Sequence, residues 1–202
     1  MPRPADPVKR EAILRAARAI FVERGYESAR MAEIAERAGV ATGTIYLYFQ
    51  GKEELVIALV EAFLTRIAER VAPLFELPDI SEAIERAVRT TIELSESEAD
   101  LLRLARLQVG LGRRDRQHRV PARDRLTDGL ATMLRVRMDR GEVRPYDPEA
   151  LAELITALVE WVDEVCLISG ARDLRRYEAT LVTLLRHALV PDASGDRKES
   201  HQ

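Results

Sequence analysis

The hydrophobic positions of this 202-residue chain recur at three- and four-residue intervals almost from end to end, the spacing that gathers apolar side chains into one stripe of an α-helix. "DPVKREAILRAARAIFVERG" shows it first. Apolar residues at 13, 14, 17, 20 and 21 follow Asp6, a candidate N-cap with Pro7 behind it, and Gly25 ends the run; a helix is expected over 7–24. "ARMAEIAERAG" repeats the pattern over two turns, with Met31, Ile34, Ala35 and Ala38 on one face and Gly39 as its stop. A helix this short is marginal in water and has to lean on its neighbours. The chain restarts at Thr42, a candidate N-cap for a third helix over "GTIYLYF", in which Ile45 and Phe49 turn inward.

Past Lys52 the pattern lengthens. "KEELVIALVEAFLTRIAERVAPLF" starts with acids, carries apolar residues at 55, 59, 63 and 67 and ends around Pro73. Running on directly from the short helices, it is expected to link them mechanically to the larger C-terminal part of the chain. "DISEAIERAVRTTIELSES" resumes as an amphipathic helix capped at Asp79 or Ser81, and further helices are expected over 98–114, 121–140, 148–169 and 173–189, punctuated by Pro121, Gly141, Pro145, Pro148 and Gly170. The expected fold is all-α. An N-terminal three-helix head (1–52) is followed by a helical bundle (53–190), and the polar tail 191–202 is expected to be disordered.

The helix over 148–169 is apolar on more than one face: Leu151, Leu154, Ile155, Leu158, Val159, Trp161, Val162, Val165, Cys166 and Ile168 exceed a single stripe. The helix after it is similarly rich. A two-fold pairing of these last two helices into a four-helix interface accounts for the excess, and a wholly internal pair is the alternative.

Composition adds limits. With 47% hydrophobic and 32% charged residues, ten Gly and nine Pro, most of the chain should fold. No apolar run reaches the roughly 20 residues of a membrane helix, and "MPRPADPVKR" lacks the apolar core of a secretory signal, so a cytoplasmic protein is expected. Cys166, the single cysteine, has no partner for an internal disulfide or a thiolate metal cluster. Net charge is −3, yet residues 1–52 carry nine Lys and Arg against six acids, a balance of +3 against −6 for the remainder. A basic head on an acidic body points to a localised polyanion contact.

Three of the ten aromatics, Tyr46, Tyr48 and Phe49, fall within four positions of that head. Ile45 and Phe49 suffice for the inward side, which leaves Thr44, Tyr46, Leu47 and Tyr48 at least partly outward. Two short helices joined by a Gly-containing turn form a helix-turn-helix, whose second helix fits a DNA major groove. Hydroxyls there can bond phosphates or base edges, and Lys52 adds a charge. On the residues alone, Tyr46 and Tyr48 could equally be half-buried rings closing a three-helix core.

The run from Lys9 to Phe63 resembles the DNA-binding domain of the TetR family of bacterial transcriptional regulators. The residues that carry the likeness are Ala16, Phe21, Gly25 and Tyr26, then Ile34-Ala35, Ala38-Gly39-Val40, Gly43-Thr44-Ile45-Tyr46, Tyr48-Phe49 and Lys52-Glu53-Glu54-Leu55. The resemblance implies a homodimer, joined through its last two helices, in which Thr42, Gly43, Thr44, Tyr46 and Tyr48 line the DNA side and Lys52 meets a phosphate. Two departures stand out. Ala29-Arg30 occupies the place of the family's usual Thr-Thr or Thr-Ser, so Ser28 is expected to cap the second helix and Arg30 to replace a phosphate contact with a full charge. Ala41 stands where a Ser is common.

In the body, Arg103, Arg106 and Arg113 follow helical spacing, and Arg113, Arg114, Arg116, Arg119, Arg123 and Arg125 crowd one stretch. Arginine forks suit phosphate, although a solvated loop and helix end also reads this way. "GVATGTIYLYF", "LQVGLGRRDRQHR" and the Trp161 helix resemble the fatty-acid-degradation regulators of the family. That resemblance implies a long-chain acyl-CoA effector, with Arg103, Arg106, Arg113, Arg114 and Trp161 as ligand residues; an uncharged apolar drug or metabolite is the alternative. His118, His187 and His201 have no metal-ligand spacing, and no phosphate loop or nucleophile elbow is present. Glu160, Asp163 and Glu164 are expected to face solvent or pair with arginines. The expectation is therefore no enzyme, no cofactor and no metal, but a ligand-responsive, DNA-binding repressor released from a palindromic operator.

Overall fold

The computed structural model describes residues 6–109 and 120–191, and its described residues are helical with no strand. Local chemistry sets the first helix, α1 (Pro7–Arg24). Asp6 caps it by accepting from the Val8 amide, Pro7 sits where a missing N–H is harmless, and Gly25 ends it at φ 76°. The helices α2 (Met31–Arg37), α3 (Thr42–Ile45) and α4 (Lys52–Val71) follow. A 3₁₀ turn (Ala72–Glu76) holds Pro73, and α5 (Ile80–Ser97) is capped by Asp79, which accepts from the Ser81 amide at 2.8 Å. Next come α6 (Ala99–Leu104), continued by a π-helical turn (Ala105–Val109), then α7 (Pro121–Asp139), α8 (Pro148–Val162) with a second π-helical turn (Asp163–Ile168), and α9 (Leu174–Leu189). The expected helices 98–114 and 148–169 thus each change pitch part-way. The expected disordered tail lies outside the described residues, apart from Pro191.

The chain divides into two compact units. The first holds the residues up to Phe63 together with Glu98–Pro121, so it runs past Lys52 and takes in α6; the second holds Leu64–Ser97 and the residues from Ala122 on. In the first unit Ile13, Ala17, Ile34, Ala35, Ile45, Leu55 and Val56 are fully buried and Phe63 is nearly so. Glu98, immediately before α6, is buried too, its charge met by Arg18 of α1 at 2.8 Å. The second unit packs Ile84, Val88 and Ile92 of α5 with Ala131 and Leu134 of α7, Ala152 of α8 and Leu181, Leu185 and Leu189 of α9. A buried arginine, Arg137 of α7, crosses this core and donates to the carbonyls of Phe75 and Leu77 while pairing with Glu142.

Candidate nucleic-acid interface

Two turns of α2 are held in place from both sides. Ile34 and Ala35 are fully buried against α1, and ion pairs Arg24–Glu33 (2.7 Å) and Arg37–Glu23 (2.5 Å) tie its rim to the end of that helix. The Arg37 guanidinium holds the exposed Glu23 carboxyl below its ordinary range. At its start α2 departs from expectation. Arg30 occupies the N-cap, no side chain caps the helix, and Ser28 does not bond to it. Arg30 is exposed, with no ion pair among the described residues.

The turn into α3 is a Schellman motif. Val40 N–H bonds to the Ala35 carbonyl and Gly39 N–H to that of Glu36, both at 3.0 Å, with Gly39 at φ 69°. α3 is shorter than expected: it spans Thr42–Ile45, with Ala41 rather than Thr42 at the N-cap, and "YLYF" winds down through turns closed by Leu47, Tyr48 and Phe49 amides on Thr44 and Ile45 carbonyls. Only Ile45 and Phe49 of this stretch are buried, at 0% and 3% exposure. These two anchors turn the rest outward. Thr42 and Gly43 are exposed, Thr44 is half-buried, Tyr46 is 47% exposed and Leu47 80%.

Tyr48 and Lys52 do more than face outward. The Tyr48 hydroxyl accepts from the Asp6 amide at 3.1 Å, fastening the start of α1 beside α3. Lys52 Nζ donates to the carbonyls of Tyr26 (2.6 Å) and Glu27 (3.1 Å) and lies 4.6 Å from the Tyr26 ring centre. It closes the turn between α1 and α2 onto the start of α4, leaving one of its three N–H donors for other use. Of the two readings open for the tyrosines, Tyr46 is the outward ring and Tyr48 the half-buried one. Partial burial, with Glu53 and Glu27 nearby, raises the Tyr26 phenol above its usual range.

One residue expected to face outward was not counted among the DNA contacts, and one contributor was missed from sequence. Leu47 is the most exposed large apolar residue of the molecule's described surface, and its outward direction follows from its place between the two inward anchors. Arg10 on the first turns of α1 lies with its guanidinium 5.4 Å from the Phe49 ring centre, a neighbour no local pattern announces.

The expected ligand residues divide between the two units. Arg103 pairs with Asp100 at 3.1 Å, and Arg103 and Arg106 belong to the first unit. Trp161 belongs to the second, half-exposed and 5.4 Å from Tyr177 between ring centres. Arg113 and Arg114 lie outside the described residues. One acid departs from expectation: Asp163 turns inward, hydrogen-bonded by the fully buried Ser95 at 3.0 Å, whereas Glu160 pairs with Arg123 at 2.6 Å as expected. Burial drives the difference, and it pushes the Asp163 carboxyl up to about 7. No group of three or more metal-ligating side chains occurs among the described residues, and none of their helices is long and apolar enough to cross a membrane.

Residues 13–59, which hold α2, α3 and Lys52 but not Asp6 or Arg10, match the family model for bacterial regulatory proteins of the tetR family. Along its length the chain is 26% identical over 198 residues to YdgC, an HTH-type transcriptional regulator of Bacillus subtilis, covering 93% of this chain and 96% of that one. The fatty acid metabolism regulator protein of Bacillus subtilis is 42% identical over 59 residues, 29% of this chain and 30% of the relative. Among solved structures, Thermus thermophilus FadR, a TetR-family repressor in complex with lauroyl-CoA, superposes with a TM-score of 0.70 at 25% identity, over 92% of this chain and 98% of that one. Residues 13–59 thus carry the tetR-family DNA-binding helix-turn-helix, and over its length the chain is similar to TetR-family transcriptional regulators.

Proposed function

We propose that the protein is a dimeric, ligand-responsive repressor that leaves a palindromic operator when a small apolar or amphipathic effector enters its body. The observation that carries the DNA-binding half is the outward set Thr42, Gly43, Tyr46 and Leu47, held clear by the buried anchors Ile45 and Phe49. An α3 of this size enters the major groove and brings hydroxyls and an apolar side chain to base edges, where a thymine methyl suits Leu47. Thr44 and Tyr48 flank this surface, and Arg30, the remaining N–H of Lys52 and Arg10 supply phosphate contacts around it.

The dimer reading draws on Leu154, Leu158 and Trp161 of α8 and Leu184 of α9, which are 63%, 37%, 50% and 50% exposed. Small residues Ala179, Thr180, Thr183 and Ala188 line a shallow groove around Leu184, which lets a second helix approach closely. Binding to both half-sites needs the two heads at a fixed spacing, so an effector that favours another spacing loses the operator.

Long-chain acyl-CoA is the first effector to test, on the likeness to a repressor solved with lauroyl-CoA; an uncharged apolar ligand is the second. Operator fragments selected from random palindromes provide the assay. Tyr46→Ala and Leu47→Ala are expected to abolish the gel shift while size-exclusion chromatography still gives the wild-type species. Lauroyl-CoA, but not free CoA, is expected to release the wild-type complex. A protein that binds no palindrome, or binds equally well with both substitutions, overturns this assignment.

A further inference from the structure

The second unit holds a carboxylate that the regulator reading leaves without a purpose. Asp163 opens the π-helical turn that continues α8, a local widening of the helix that is frequent at functional sites. Its Oδ2 accepts from Ser95 Oγ at 3.0 Å, while its Oδ1 is closed off from solvent and meets no hydrogen-bond donor among the described residues. The surroundings are apolar. Ser95 extends the buried stripe Ile84, Val88 and Ile92 of α5, and Val162, Cys166 and Leu167 beside Asp163 are buried as well.

A shielded carboxylate in such a wall is ordinarily half of an ion pair or hydrogen-bond pair. Among the described residues no side chain supplies the missing half. Burial raises the Asp163 carboxyl, the Ser95 hydrogen bond opposes that rise and Glu160 adds to it. A charged neighbour on its own helix, Glu160, has the same sign and is itself met by Arg123 of α7. The thiol of Cys166 is likewise pushed up, first by burial and then by Asp163. Burial is the main cause in both cases; the charges that add to it are the carboxylates of Glu160 at Asp163 and of Asp163 and Asp173 at Cys166, with Arg172 opposing them at Cys166.

We propose that Asp163 and Ser95 form the polar recognition point for a cationic amphiphile, a protonated amine or quaternary ammonium carried on an apolar body. The cation sits against Oδ1, Ser95 keeps Oδ2 oriented, and the apolar body lies among the neighbouring core side chains. This rests on the reading of the body as an effector-binding unit and narrows its amphipathic class. An acyl-CoA, whose head group is anionic, gains nothing from this carboxylate.

Isothermal titration calorimetry of the full chain, without DNA, tests it, with dodecyltrimethylammonium bromide as the probe, and dodecanoate and lauroyl-CoA as controls, all below their micelle concentrations. The wild type is expected to bind one dodecyltrimethylammonium per chain. Asp163→Asn, which keeps a group for Ser95 to bond, is expected to weaken that binding at least about tenfold and to leave any dodecanoate or lauroyl-CoA binding unchanged. If Asp163→Asn loses its helical circular dichroism, Ser95→Ala takes its place, with an expected weakening of about threefold or more. No heat with the cation, equal cation binding by the folded variant, or equal losses for cation and anion would each overturn the proposal. The two readings fail separately: a chain that binds the cation but no palindrome sinks the repressor assignment alone, and one released from DNA by lauroyl-CoA yet indifferent to the cation sinks this inference alone.

Discussion

Asp163 makes stability depend on pH in an unusual direction for an acid. Its carboxyl, ordinarily near 3.8, stands at about 7 in the fold because burial disfavours the charged form. Between those values the folded chain holds a proton that the unfolded chain has released, so stability falls as pH rises from about 4 to about 7 and is flat above. The groups facing it are Ser95 from α5 and Glu160 and Cys166 along its own helix. Asp163→Asn removes the ionisation. It is expected to be more stable than the wild type by about 1–3 kcal/mol near pH 8, with the gap closing near pH 4; urea unfolding at both ends of the range reads this, and a gap that does not change with pH rejects it. The signal was present in the sequence, since 155, 159 and 163 follow one apolar stripe, and reading the three acids as one solvent-facing group obscured it. Arg137 is the opposite case. Its pattern position on α7 gave no hint of a buried role, because its partners Phe75, Leu77 and Glu142 come from other segments. Arg137→Met strands that carboxylate and two carbonyls and is expected to cost about 3 kcal/mol in the same assay. Arg137→Lys should recover little of it, because a point charge cannot replace the guanidinium fork.

At the scale of elements, two glycines four residues apart separate folding from recognition. Gly39 lies at φ 69°, in the Schellman turn that aims α3, and nothing stands within 4 Å of where a Cβ would go. Gly39→Ala therefore carries conformational strain alone, an expected loss of about 1–2 kcal/mol in thermal unfolding. Gly43 has ordinary helical geometry, is exposed and also has open space around it. Gly43→Ala is expected to leave the melting temperature unchanged or slightly raised, as helix propensity dictates, yet to weaken operator binding because the new methyl projects toward the groove. If Gly43→Ala binds as well as the wild type, α3 does not approach DNA by that face. Long helices with capped ends, such as α1 with Asp6, were legible almost to the residue because their signals are local. α3 was legible in place but not in extent, since Tyr48 and Lys52 are fixed by the Asp6 amide and the Tyr26 and Glu27 carbonyls, partners 25 or more residues away. The pitch changes after α6 and α8 had no readable signal, because a π turn keeps the same apolar residues and alters only which carbonyl each amide finds.

At the scale of the whole molecule, tight DNA binding requires two heads. One α3 of four residues offers a handful of contacts, and specific affinity in this architecture comes from two half-sites about one helical turn of DNA apart. α8 and α9 each keep large apolar residues on the side away from the buried stripe: Leu154, Leu158 and Trp161 on one, Leu184 on the other. The inner stripe of α9, Leu181, Leu185 and Leu189, is already satisfied within the second unit. Leu184 is thus surplus to the internal core, and a charge there should be tolerated by the fold but not by a partner surface. Leu158→Glu combined with Leu184→Glu is expected to leave circular dichroism and the monomer's helical content intact, to shift the mass measured by light scattering from dimer to monomer, and to weaken operator binding by about a hundredfold or more. A variant that remains dimeric places the subunit interface elsewhere. A monomeric variant that still binds the palindrome at wild-type affinity shows that each head reads DNA independently, and then no effector could act by changing the distance between them.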